Sequence, residues 1–333
     1  MSYQNGSASS STDLIQKLVT WLVSIGWSQD RSAAEGSGWT ASLHKSGNYV
    51  HLRAAENESS GPWQVMFGVA HYGVHMYLGT AFSSGQPFNN QMTGSPFGAG
   101  TNPIGVGMHL SAGPFSNYYF FSDSSADNIV VVVEKTPGLY VHMGWGLSVQ
   151  KAGSYTGGAY FFGSSSGYYT SFTSAGSNVP GYTSTSDCPF VNGAQIGGGC
   201  GFVRADVDSW TGKWVGIWNS PSGNDQGFTG KQGDSSVCGT NRTMKPNFPV
   251  YAYSQSATHF QYQQTSQQDG RANLLPLILW ALRDGTTTGY SMLGTAPNIF
   301  SSNAVGNGFS NADEYVLGAT TYKLFPGFAV VKQ

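Results

Sequence analysis

Two carboxylates stand at Asp206 and Asp208, with Trp210, Trp214 and Trp218 close behind. On a strand, positions i and i+2 share one face. Such a pair could act as acid and base on a glycosidic bond while indoles stack on sugar rings, or it could contribute to a calcium site. Calcium asks for about six to eight oxygens and no loop pattern supplies them, so a solvated strand face is the favoured reading. Gly163-Ser164-Ser165-Ser166-Gly167 has the letters of a hydrolase nucleophile elbow, which needs a strand before it and a helix after it. The segment that follows is rich in Ser, Gly, Thr and Tyr without helical spacing, so the match is an effect of composition. Gly233-Asp234-Ser235-Ser236 has part of a serine-protease nucleophile turn but lacks the glycine after the serine. His71 and His75 are four apart in a stretch that reads as strand and turn, which does not gather them on a metal. Cys188, Cys200 and Cys238 contain no Cys-x-x-Cys pair, and whether they are free or bridged stays open. The expectation is no catalytic residue, no bound cofactor and no metal.

The aromatic pairs Tyr118-Tyr119, Phe120-Phe121, Phe161-Phe162 and Tyr168-Tyr169 could stack on sugars or bases. Neighbours on a strand point to opposite faces, however, so no pair makes one platform. Core and subunit interface are the better assignments.

The elements that would carry these residues are mostly strands. Charged residues make up 10% of the 333, glycine numbers 46 and aromatics reach 14%. Such composition describes short strands joined by tight turns. Only 17 Asp and Glu and 7 His argue against proton-transfer chemistry. A net charge of −2 carries no signal for nucleic acid, and no apolar run is long enough to span a membrane. A surface so poor in Lys and Glu is weakly guarded against association, which points to burial by partner subunits.

Along the chain, residues 1–12 read as a flexible arm. A helix follows from an Asp13/Gln16 capping box, with Leu14, Ile15, Leu18, Trp21, Leu22 and Ile25 on one face and Gly26 as a left-handed cap. The period then changes to two. Trp39–Lys45 and Tyr49–Arg53 read as a hairpin around Ser46-Gly47-Asn48, so 13–60 forms a helix-plus-hairpin unit with the helix packed on a sheet. Residues 61–333 read as a β-rich body with a boundary near residue 60. Its strand expectations are Trp63–Tyr72, His75–Phe82 (after a turn at Gly73), Tyr118–Ser122, Ile129–Glu134, Leu139–His142, Trp210–Trp218, Leu277–Arg283, Tyr315–Leu317 and Thr321–Phe325. Ile129–Val133 is a continuous β-branched run, the mark of a strand buried on both faces. Pro137-Gly138 fits a type II turn. Ser83–Phe115 and the Gly/Ser-rich stretches 163–187 and 220–247 read as loops. The fold expected is mainly β, with antiparallel, sandwich-like sheets and one N-terminal amphipathic helix.

Three stretches carry a resemblance. They are Asp13 to Trp27 with Trp39 to Leu52; Asp127 to Gly146, including Pro137-Gly138-Leu139-Tyr140-Val141-His142, with Tyr155 to Tyr160; and Ser291 to Phe300 with Leu317 to Pro326. Together they cover 75 residues. They are similar to virion structural proteins of tailed bacteriophages. The resemblance implies a non-enzymatic tail, baseplate or neck component, made in the host bacterial cytoplasm and incorporated into the virion in many copies. Its partners would be other virion proteins and copies of itself, with no nucleic acid and no membrane. Two alternatives stand beside it: a receptor- or glycan-binding tail protein, and a polysaccharide-degrading tail hydrolase using Asp206 and Asp208.

Overall fold

The structure, a computed structural model, describes residues 1–58, 71–79, 81–82, 92–93, 106–149, 158–163, 165–166, 200–204, 214–217, 244–247, 274–282, 290–302, 304–305, 308–326 and 328–333. It is mainly β, in three sheets, with one helix among the described residues.

The chain opens with a strand, β1 (Ser2–Ala8), where a flexible arm over 1–12 was expected. Helix α1 (Ser11–Ser24) follows. Its cap is Ser10, whose Oγ accepts from the Asp13 N–H at 3.2 Å, while Asp13 Oδ2 accepts from the Ser9 N–H at 2.8 Å. The capping pair is therefore Ser10 with Asp13, and not Asp13 with Gln16. Apolar spacing locates the body of a helix, but a run of serines offers several starting points. The C-terminal end is as the sequence indicates. Gly26 takes φ +97, and the N–H groups of Gly26 and Trp27 donate to Val23 O and Leu22 O, the two bonds of a Schellman cap.

Next come β2 (Ser28–Glu35), β3 (Gly38–Lys45), β4 (Asn48–Glu58), β5 (His71–Gly79), β6 (Ala81–Phe82), β7 (Met92–Thr93) and β8 (Val106–His109). The β3–β4 turn has two residues, Ser46 and Gly47, both with positive φ; Asn48 already pairs with Lys45. Strand β5 runs straight through Gly73, where a turn was expected. Of the expected strand Trp63–Tyr72, residues 63–70 lie outside the described residues.

Then follow β9 (Phe115–Ser122), β10 (Ile129–Thr136), β11 (Leu139–Leu147), β12 (Ala159–Gly163), β13 (Ser165–Ser166), β14 (Cys200–Arg204), β15 (Trp214–Ile217), β16 (Met244–Asn247), β17 (Leu275–Leu282), β18 (Tyr290–Ser301), β19 (Glu314–Leu317), β20 (Thr320–Phe325) and β21 (Phe328–Val331). The three strands expected between 118 and 142 are present and longer. Gly138 has φ +81, the value a type II turn requires at its third position. The stretches expected as loops contain β7, β8, β13, β16, the start of β9 and the end of β12; residues 110–114 are loop as expected, and the rest lies outside the described residues. Pro276 sits inside β17, and the pairing with β18 slips beside it, as a proline in a strand demands.

The largest sheet has 13 strands in the order β1-β9-β10-β11-β12-β14-β15-β16-β17-β18-β21-β20-β19. A six-stranded sheet runs β13-β8-β5-β4-β3-β2, and β6 pairs with β7. Pairing is antiparallel except between β15 and β16. The chain passes from the large sheet to the smaller one between β12 and β13. Gly163 and Gly107 meet there so closely that a Cβ on Gly163 would lie 2.4 Å from the Gly107 nitrogen.

One core lies between the six-stranded sheet and the front of the large one. Leu43, Val50, Leu52, Val74 and Met76 come from the first, and Tyr118, Phe120, Ile129, Val131, Val133, Met143, Trp145 and Phe161 from the second. Helix α1 fills the same core with Leu14, Ile15, Leu18, Val19, Trp21 and Leu22. Its buried positions span an arc of about 160° at roughly 3.6 residues per turn, wide enough to face both sheets. Trp21 meets Phe120, with ring centroids 5.5 Å apart, while the Thr12 N–H donates to Glu56 at the end of β4. Residues on both sides of position 60 thus fill one interior.

A second interior lies behind the front strands. Tyr119, Phe121, Tyr140 and His142 pack against Phe325 and Phe328 of β20 and β21. The large sheet therefore returns upon itself, and β10 is a middle layer. Ile129 to Val133 are all 0% exposed, alternating between the two interiors as the β-branched run indicates.

Middle strands tolerate little bulk. Asn128 Oδ1 accepts from the Leu147 N–H at 2.9 Å and from Tyr160 Oη at 2.8 Å, and a Cβ on Gly146 would stand 2.0 Å from that oxygen. Gly146→Ala is expected to cost about 1–3 kcal/mol by overpacking and by breaking this clasp. A urea titration would show a lower midpoint at unchanged slope.

Candidate functional site

Strands β1 and β19 end the 13-stranded sheet, and among the described residues each is paired on one side only. A strand edge presents a row of N–H and C=O groups that another strand can join. Strand β1 reads Ser2-Tyr3-Gln4-Asn5-Gly6-Ser7-Ala8, with no charge and no proline to block joining. In β19, Val316 is 64% and Leu317 54% exposed. Successive residues point to opposite faces, so this edge is apolar on both. The six-stranded sheet is different, since its edge β2 carries Asp30, Arg31 and Glu35. Charges of that kind deter pairing.

The two edges of the large sheet are neighbours. Lys332, just past β21, places Nζ 4.8 Å from the Tyr3 ring centre and 2.8 Å from Oε1 of Glu314, the first residue of β19. Lys323 reaches the same carboxylate oxygen at 3.4 Å and the Tyr119 ring at 5.5 Å. The hydrogen bond from Lys332, helped by Lys323, holds the Glu314 carboxyl below its ordinary range. Burial, then the nearby Tyr119 and Glu314, push the Tyr3 phenol up to about 12. The cluster pins β1 to the C-terminal strands, and the two edges form one rim. Lys332→Ala is expected to cost about 1 kcal/mol and to speed hydrogen exchange in β1 more than in β3 or β4. Equal exchange in β1 of both proteins would remove the pinning role.

The large aromatics divide as strand geometry requires. Tyr118, Phe120 and Phe161 face the first interior, Tyr118 accepting from Gln4 Nε2 at 3.0 Å, while Tyr119, Phe121 and Phe162 face the second. Ser165 and Ser166 form β13 against β8, an extended course where an elbow would begin a helix. Asp206, Asp208, Trp210, Trp218, Gly233 to Ser236, Cys188, Cys238, Tyr168 and Tyr169 lie outside the described residues, whereas Cys200 and Trp214 open β14 and β15. His71 and His75 share the single strand β5. Among the described residues no three His, Cys, Asp or Glu side chains gather around a common point.

One polar pair went unnoticed in the sequence. Ser42 Oγ and His51 Nδ1 are 2.5 Å apart across β3 and β4, on the face of the six-stranded sheet turned away from α1. Burial first, then the charges of Arg31 and Arg53, lower the His51 pKa to about 3. With Ser42 fully buried and His51 1% exposed, this is an interior hydrogen bond closed to solvent. The rim was also illegible as a site, although the lack of charge across Ser2–Ala8 was a signal available to be read. No family model matches the chain, and no curated protein matches it.

Proposed function

We propose that this chain is a structural subunit of a tailed-bacteriophage virion, a tail, baseplate or neck component that works by assembling with copies of itself and with other virion proteins. The observation that carries the assembly role is the rim, where two strand edges lie side by side, one without any charge and the other with apolar side chains in solvent and its single carboxylate, Glu314, paired with lysines. Edges of that kind invite pairing, and in a free monomer they are a hazard. The low share of charged residues supports the same reading, because surfaces covered by neighbours do not need charge. The choice of a phage particle rests on the resemblance of the three sequence stretches.

Mass spectrometry of particles banded on a density gradient tests the reading. Peptides of this chain are expected in the particle band in many copies per particle. Its absence from particles, with recovery as a free monomer that cleaves a host polysaccharide, would overturn it.

A further inference from the structure

We propose that the rim formed by β1 and β19 is the contact through which two copies of this chain join edge to edge about a two-fold axis. This names a partner for the assembly role proposed above and rests on it. Strand β1 belongs to the front layer of the large sheet. Strand β19 belongs to the layer packed on its back, as the contacts of Phe325 with Tyr119, Phe121 and Tyr140 place it. The rim therefore offers two edges separated by the spacing of packed sheets, about 10 Å.

That spacing selects the occupant. A partner bringing one strand would satisfy one edge and leave the other open. A second copy carries two edges at the same separation, and a half turn about an axis along the rim sets β1 of each copy against β19 of the other. The contact closes after two copies, as self-complementary patches do. Charge permits the approach: β1 has none, and Glu314, the charged residue of β19, is already paired with Lys332 and Lys323. Val316 and Leu317 lose water as the edges meet, which supplies an apolar centre.

Sedimentation velocity of the full chain over a wide dilution series, with hydrogen exchange at both ends of the series, provides the test. The wild type is expected to associate into pairs or even multiples, with the amides of β1 and β19 slowed on association. Val316→Lys with Leu317→Lys, and separately Asn5→Lys, are expected to raise Kd about tenfold or more. Val23→Lys, on the exposed side of α1, is expected to leave it unchanged. Association by the rim variants equal to wild type, or slowed amides only elsewhere, would overturn the proposal. A chain that stays monomeric yet is recovered from particles would overturn this contact and leave the assembly role standing. A monomer absent from particles would overturn both.

Discussion

Phe325→Ala is expected to lower stability by about 3–5 kcal/mol, the range for deleting a buried aromatic ring. The ring is 0% exposed, and its centre lies 5.4 Å from Tyr119, 6.1 Å from Phe121, 5.5 Å from Tyr140 and 5.2 Å from Phe328. Three of those partners belong to the front layer, so the ring is a joint between layers as well as a volume filler. Each aromatic contact adds about 0.5–1.5 kcal/mol beyond area burial. The loss should be uneven. Hydrogen exchange is expected to quicken in β20 and β21 first, while α1, β3 and β4, in the other interior, keep their protection. A cost near that of a surface substitution, about 0.5 kcal/mol, would mean that the layers are not joined at this point.

Acid is expected to destabilise the fold well before its carboxylates protonate. His51 and His142 are both lowered to about 3 from the ordinary 6.5, by burial in each case and at His51 also by Arg31 and Arg53. His142 lies between Phe328, 5.0 Å away, and Phe162, 5.9 Å away. In the unfolded chain both rings take a proton near pH 6.5, whereas the folded protein refuses it until about pH 3. The unfolded state binds more protons between those values, so stability falls as pH drops through that window and is unaffected above it. For two sites the loss reaches about 5 kcal/mol near pH 4.5. Asp13 and Glu314, both held below the usual carboxylate range, push the same way at lower pH. Urea midpoints measured across this range would show the slope, and His142→Gln should remove about half of it. A flat profile from neutral pH to about 4.5 would contradict the burial of both rings.

Helix α1, the β3–β4 hairpin and the twofold burial of β10 were legible because each is written in local spacing. Leu14, Leu18 and Leu22 recur at helical intervals, Gly47 supplies a positive φ, and Ile129 to Val133 leave no position for solvent. Strands β1 and β2 were not legible. Ser2–Ala8 and Ser28–Glu35 show no apolar alternation, because an edge strand can be held by backbone bonds and a few side chains. The run through Gly73 was missed since glycine signals a turn until neighbours on both sides pin it, as β4 and β8 do here. The rim depends on sheet order. Lys332 reaches Glu314 across 18 positions, but it reaches Tyr3 from the opposite part of the sequence, which no window of sequence contains. The same holds for Val316 and Leu317: their types read as strand, and their exposure is decided by which strand fails to arrive.

Tyr3 and Lys332 meet, the lysine ammonium resting over the tyrosine ring. An affinity tag or fluorescent protein fused before Met1 or after Gln333 would stand in front of both open edges and act as a steric cap. If the rim joins two copies as proposed, such fusions are expected to weaken their association. The exposed Ser46–Gly47 turn, which belongs to neither edge, is the place for a label.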